Sequence, residues 1–286
     1  MNIEIDIVRK LIHEQFPQYD ELKIQPVQKS GHDNRTFHLG DEMVIRLPSG
    51  KEYAMQVQKE NQWLPYLSKF LSLPISQPLH IGKSNDDYPY SWSILNYLSG
   101  ETVTYQNIES LNSFAKELRN FLEELQSIPS EQGPQAGQHN FYRGGNLSIY
   151  HDEIIKALEL LKERLDTKRL EELWNLALEK PYLQKGVWIH GDIAIGNLLV
   201  EKGHLCGVID FGIMGVGDPA CDYAIAWTFF DKQSRHIFLA NISEDMKNRA
   251  MGWALWKALI TFDDSNEEIR FHARKVIQEI VYDYKE

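Results

Sequence analysis

The apolar run VWIH leads directly into Gly191 and Asp192; Asn197 follows five residues after Asp192, and Asp210 thirteen residues after Asn197. Between Asn197 and Asp210 lie two short apolar runs, LLV and LCGVI, separated by the polar EKGH. Runs of this length bounded by polar and glycine residues read as strands. If they pair as a hairpin, Asn197 opens one arm and Asp210 closes the other, so the two side chains become neighbours. A carboxamide oxygen beside a carboxylate is a hard donor set suited to Mg²⁺, which keeps most of its ligands as water and phosphate. Gly191 allows a backbone conformation that other residues resist. It thereby presents Asp192 at a loop rim, free to take a proton from an attacking hydroxyl.

These residue types at these spacings match the phosphoryl-transfer template of protein kinases: a base Asp, a metal-binding Asn five residues on, and a metal-binding Asp followed by Phe-Gly. Here they read HGDIAIGN and DFG, and GVGDPACDYA follows from Gly215. With HGD in place of HRD and this trailing segment, the chain resembles the aminoglycoside phosphotransferase family. The resemblance extends from Ser30 to the C-terminal helices. It implies an α+β, protein-kinase-like fold of two lobes, β-rich then helical. It also implies ATP- or GTP-dependent transfer of the γ-phosphate to a hydroxyl of a small molecule, with an aminoglycoside-type antibiotic as the expected acceptor. A macrolide kinase, a metabolic sugar or amino-alcohol kinase and a nucleotide-binding pseudokinase are the alternatives. Carried over by position, Asp192 is the expected catalytic base, and Asn197 and Asp210 are the expected Mg²⁺ ligands. His190 falls where the family has a histidine that braces the loop. Asp218 is placed to cap a helix starting at Pro219, and Asp222 reads as structural too. No Ala-Pro-Glu closes an activation segment after Asp210, which argues against a protein kinase.

A site of this kind also needs groups for the nucleotide. SGHDNRTF, residues 30–37, lies between two strand-like runs where a phosphate-covering turn belongs. Its backbone N–H groups can face phosphate oxygens, and it resembles the family's Ser-Gly-x-Asp-Asn turn, which nominates Ser30, Gly31, Asp33 and Asn34. MVIRLP puts Arg46 where many relatives carry Lys; Arg is always charged and can bind two phosphate oxygens at once. Glu60 is its expected partner, with Glu52 the runner-up but too near the strand end. SWSILNYLSG, at the lobe junction, offers backbone groups to a purine edge, so Leu95, Asn96 and Tyr97 are expected around the adenine.

The elements that must position these residues fall into two parts. Residues 3–15 have helical apolar spacing, and KIQPVQ, RTFHL, MVIRLP, PLHIG and YSWSILNYL read as strands. Residues 53–71 are helical in period, with Pro65 predicting a kink or a restart. After Gly100 the pattern turns helical, over 108–126, 149–166, 169–180 and from Pro219 onward. The expected division is 1–97 for a nucleotide-binding lobe and 98–286 for a helical lobe with the acceptor site. That site is expected against helices carrying Tyr223, Trp227, Phe230, Trp253, Trp256 and Phe262, an aromatic spacing that plain core packing also produces. HNFYRGGNLSIY, with Tyr142 and Arg143, is a long Gly- and aromatic-bearing loop expected to line the acceptor cleft.

With 286 residues, 43% hydrophobic and 25% charged, the chain has ordinary globular composition. A net charge of −11 disfavours nucleic acid and anionic membrane as partners and would welcome a cationic substrate. Cys206 and Cys221 are too few for a disulfide framework. An acidic N-terminus without a long apolar run predicts no signal peptide. A cytoplasmic enzyme, monomeric or weakly dimeric, is therefore expected.

Overall fold

The computed structural model describes residues 3–27, 31 and 33–284. The chain opens with α1 (Ile5–Gln15), then β1 (Ile24–Pro26), β2 (Asn34–Leu39) and β3 (Met43–Pro48). Helix α2 (Ala54–Leu67) follows, then β4 (Pro78–Gly82) and β5 (Trp92–Asn96). The five strands form one antiparallel sheet in the order β1-β2-β3-β5-β4. Side chains alternate across a strand, and the two faces have different fates. One face buries Phe37, Leu39, Ile45, Leu47, Trp92 and Ile94 against Val8, Leu11 and Ile12 of α1. The other carries Arg46 and Leu95, and Leu95 joins a larger core with Leu64, Leu67 and Ile75. The apolar side of α2 thus packs into the core of the helical part.

Helix α2 runs through Pro65 without a break, so of the kink or restart expected there the restart does not occur. The helix ends two residues later. Pro65 therefore removes only one hydrogen bond, to the carbonyl of Asn61, and that residue is exposed to solvent.

Beyond β5 come β6 (Glu101–Thr102), α3 (Leu111–Ser127), α4 (His151–Leu161) and α5 (Thr167–Glu179). Four short strands follow: β7 (Val187–Ile189), β8 (Leu198–Glu201), β9 (His204–Val208) and β10 (Gly215–Gly217). The chain closes with α6 (Ile225–Thr228), α7 (Lys232–Phe238), α8 (Glu244–Ile260) and α9 (Glu267–Asp283). Side-chain oxygens of Ser110, Asp166, Asp231, Ser243 and Asn266 accept from backbone N–H groups at the helix starts. Each cap fixes where its helix begins. Among the described residues no helix is long and apolar enough to cross a membrane.

Strands β8 and β9 pair antiparallel across a two-residue turn, Lys202-Gly203, both with positive φ (51° and 89°). Two positive φ angles define the turn whose twist matches a hairpin. Strand β6 borders β8, and β7 pairs separately with β10. These strands lie over the helical core through Leu198, Val200, Leu205 and Val208.

Candidate active site

The hairpin brings the two ends of the motif together. Leu198 pairs with Val208, and the Ile209 N–H donates to the Asn197 carbonyl at 2.9 Å. Asn197 and Asp210 therefore lie at one end of the ribbon. Asn197 Nδ2 donates to the carbonyl of Asp192 at 2.9 Å and to its Oδ2 at 3.2 Å. That fixes the carboxamide so that its oxygen, the harder donor, is left for another partner. The Asp192 side chain itself lies at the exposed rim of the loop.

His190 is completely buried and bridges the two carboxylate-bearing segments. Its Nδ1 accepts from the Asp192 N–H at 3.2 Å, so Nε2 carries the proton and donates to the Ile209 carbonyl at 3.0 Å. The ring also packs on Phe211, centroids 4.4 Å apart. Buried Asp222 accepts from the N–H groups of His190 (2.8 Å) and Gly191 (2.7 Å). Gly191 has φ 86°, and a Cβ there would sit 2.6 Å from the Ile213 carbonyl oxygen, so no larger residue fits without strain. Asp218 caps the turn at Ala220 and forms a buried pair with Arg249, Nε to Oδ2 at 2.6 Å.

Across the cleft, Arg46 Nη1 donates to Glu60 Oε1 at 2.7 Å, and Nη2 donates to Asp210 Oδ1 at 2.6 Å. Glu60, and not the exposed Glu52, meets this guanidinium. Burial opposes the charge on Arg46, yet Glu60 and Asp210 more than offset it and hold its pKa above the ordinary arginine value. Burial pushes the Glu60 carboxyl upward against the pull of Arg46. Asp210 has φ 65°, sparsely populated for a non-glycine residue. Its ion pair with Arg46 and the bond from Ile209 to Asn197 hold it there.

The remaining nucleotide-side candidates sit as follows. Ser30 lies outside the described residues. The carbonyl of Gly31 accepts from Arg35 Nη1 at 2.8 Å, and a side chain at Gly31 would meet open space. Asp33 hydrogen-bonds the Tyr53 hydroxyl, whose pKa is raised first by burial and then by that carboxylate. Asn34 is buried at the start of β2 opposite Pro48. Leu95 lies opposite Val44 on the Arg46 face of the sheet. Tyr97 stacks edge-on against His38, centroids 5.3 Å apart. Asn96 falls on the other face by alternation, where its Oδ1 accepts from the Gln77 N–H. It contributes to the sheet edge and not, through its side chain, to the Arg46 side.

A divalent cation fits the donors present. Asn197 Oδ1 and the second oxygen of Asp210 are hard ligands at adjacent positions. Among the described residues no group of three or more His, Cys, Asp or Glu is arranged to hold a metal. A two-ligand set of this kind depends on substrate phosphate and water for its remaining coordination.

On the acceptor side the helical aromatics follow the core-packing alternative that the sequence also offered. Tyr223, Trp227, Phe230, Trp253, Trp256 and Phe262 are each no more than 6% exposed; their spacing is that of core packing. Arg143 does not project from its loop. Its guanidinium lies over the rings of Trp253 (5.2 Å) and Trp256 (4.6 Å), a cation–π arrangement that ties the loop to α8. Tyr142 and Phe141 are partly exposed with φ 55° and 51°. Sequence reasoning missed Lys59, which is part-buried near the ribbon, with desolvation lowering its amine to about 8. A lone lysine on a helix carries no local signal of that placement. It also missed Gln56, whose buried carboxamide lies against Gly212.

The chain belongs to the phosphotransferase enzyme family, whose model matches residues 23–255. It is a small-molecule O-phosphotransferase with the kinase-like fold. An aminoglycoside 3'-phosphotransferase of Escherichia coli is 28% identical over 199 residues, 68% of this chain and 71% of that protein. One of Salmonella typhimurium is 28% identical over 200 residues, with the same coverage. Among solved structures, the GDP and kanamycin complex of APH(2")-IIia matches with a TM-score of 0.72 at 18% identity, covering 97% of this chain and 99% of that one. A macrolide 2'-phosphotransferase from Brachybacterium faecium matches with a TM-score of 0.62 at 16% identity, covering 95% and 96%. These likenesses show the fold.

Proposed function

We propose that the protein transfers the terminal phosphate of ATP or GTP to a hydroxyl of an aminoglycoside antibiotic. The observation that carries the reading is the placement of Asp192, Asn197 and Asp210 on one braced ribbon, facing the buried Arg46–Glu60 pair. The aminoglycoside acceptor draws support from the two relatives at 28% identity. A net charge of −11 also favours a polycationic substrate.

In this reading, Asp192 aligns the acceptor hydroxyl and receives its proton. The acceptor oxygen bonds to phosphorus as the bond to the leaving diphosphate breaks. Such a transition state is loose, so positioning and charge neutralisation matter more than base strength. Arg46, fixed by Glu60, offers donors to the α- and β-phosphates. Tyr97 flanks the purine, the backbone at Leu95 and Asn96 runs along its edge, and the turn with Gly31, Asp33 and Asn34 covers the phosphates. Asn197 and Asp210 would hold Mg²⁺, which supplies charge neutralisation at the phosphates when bound. We place the enzyme in the cytoplasm, where its donor is made and its two thiols stay reduced.

The test is turnover of the purified protein with Mg²⁺ and ATP or GTP against kanamycin, gentamicin, streptomycin and a macrolide. Products are read by mass for the gain of one phosphoryl group. Phosphorylation of an aminoglycoside is the expected result. Turnover of the macrolide alone, or of none of the four, overturns the acceptor assignment.

A further inference from the structure

Three points along α2 hold the chain that follows the hairpin. Glu60, through Arg46, reaches Asp210. The Gln56 carboxamide, 2% exposed and without a hydrogen-bond partner among the described residues, lies against Gly212. Lys59 Nζ donates to the Met214 carbonyl at 3.0 Å. Positions 56, 59 and 60 share one side of a helix, so segment 210–214 lies along that side.

Lys59 reaches further. Its Nζ also donates to the His139 carbonyl at 3.3 Å and to His139 Nδ1 at 3.1 Å. His139 Nε2 donates to the Gln135 carbonyl at 2.8 Å, which leaves Nδ1 bare to accept. One ammonium therefore spends its three protons on three acceptors, drawn from two segments about 75 residues apart in sequence. The second segment, 135–146, carries exposed Phe141 and Tyr142, Gly144 packs against Ile189 at the end of β7, and Gln135 bridges to Val216 of β10. Lys59 makes no ion pair with a carboxylate among the described residues. A part-buried cation whose hydrogen-bond partners are all neutral is costly to keep, even with the Glu60 carboxylate near enough to favour its charge. A methionine would fill the same space without that cost, so packing alone does not account for the lysine.

We propose that Lys59 is a positioning residue that registers the loop 135–146 to the metal-binding segment 210–214, so that the acceptor side and the phosphate clamp are set by one helix. The proposal rests on the phosphotransferase reading for its consequence, but its geometry is read on the resting protein. Hydrogen exchange of the full chain, without nucleotide, compares wild type with Lys59→Met, Lys59→Arg and His139→Ala. Lys59→Met removes every donor and is expected to raise exchange by about tenfold or more in both 135–146 and 210–217. His139→Ala is expected to raise it in 135–146 alone, and Lys59→Arg to stay nearer wild type. Calorimetry of ATP binding across Mg²⁺ concentrations adds a second readout. Lys59→Met is expected to raise the Mg²⁺ needed for half-maximal binding several-fold, a change that simple loss of stability would not produce. Exchange that rises in one segment only, uniformly along the chain or nowhere overturns the proposal, as does an unshifted Mg²⁺ requirement. If wild type bound no nucleotide at all, the phosphotransferase reading would fail, while the exchange comparison would still decide whether Lys59 joins the two segments.

Discussion

The proposed phosphate side and the proposed acceptor side of this molecule are built on different principles. On the first, charged and polar groups form a short relay. Glu60 holds Arg46, Arg46 holds Asp210, His190 joins Asp210's segment to Asp192, and Asn197 pins Asp192, all within 3.2 Å. On the acceptor side, Trp227, Phe238, Trp253 and Trp256 of α6 to α8 are buried in the core while Phe271 and Tyr282 of α9 are exposed, and nearby charges pair at the surface, as Arg164 does with Asp263. In the proposed mechanism the reaction chemistry is concentrated in these few residues, while the proposed acceptor side offers surfaces that packing alone would also produce, and fold does not settle the acceptor.

The sharpest way to break this contrast is at the base. Asp192→Asn is expected to lower turnover by about two to four orders of magnitude while calorimetry finds nucleotide affinity unchanged. Turnover within tenfold of wild type would remove Asp192 from the mechanism. Next in size is the relay itself. Glu60→Ala leaves a buried guanidinium without its main partner, and urea unfolding should show a loss of about 3–5 kcal/mol. A loss too small to measure would mean that water reaches Arg46. Gly191→Ala forces a side chain into a positive-φ site against Ile213 and should cost about 1–3 kcal/mol together with turnover. Full activity in that variant would show that the Asp192 loop is less constrained than its hydrogen bonds indicate.

Lys59 gives a gentler test through pH. Its amine titrates at about 8 in the fold against 10.5 when unperturbed, because it is buried. Between those values the unfolded chain holds the proton and the folded chain does not, so this group makes stability rise with pH through that window. Unfolding of wild type minus Lys59→Met should therefore drift upward from pH 8 to 10.5, with a slope no steeper than about 1.4 kcal/mol per pH unit. A flat difference would show that the amine keeps an ordinary pKa. Smallest of all, Asp263→Ala breaks an exposed pair on the helical side and should leave the unfolding midpoint unchanged. A clear loss there would blur the contrast between the two sides.

What the sequence disclosed follows the same division. The hairpin, its polar ends and the five-stranded sheet were legible because alternation, turn residues and short spacings are local. Caps such as Ser110, Asp166 and Ser243 were local too, and they correct helix starts by a few residues. Pro65 did not restart the helix because a proline's effect depends on how much helix remains after it, and only two residues of α2 follow it. The contacts of Lys59 with Met214 and His139, of Arg143 with Trp256, and of Arg46 with Asp210 join residues 80 to 164 positions apart. No pattern within one segment announces such pairs.

The two-residue turn at Lys202-Gly203 has a consequence for how such a chain changes over generations. It leaves no slack, so one inserted residue would turn a strand's side chains to the opposite face and separate Asn197 from Asp210. Variation that keeps the ribbon intact must therefore enter elsewhere, as on the exposed face of α9, where Phe271 and Tyr282 stand in solvent. A register-locked ribbon joined to such open faces lets descendants exchange one acceptor for another while inheriting the same reaction.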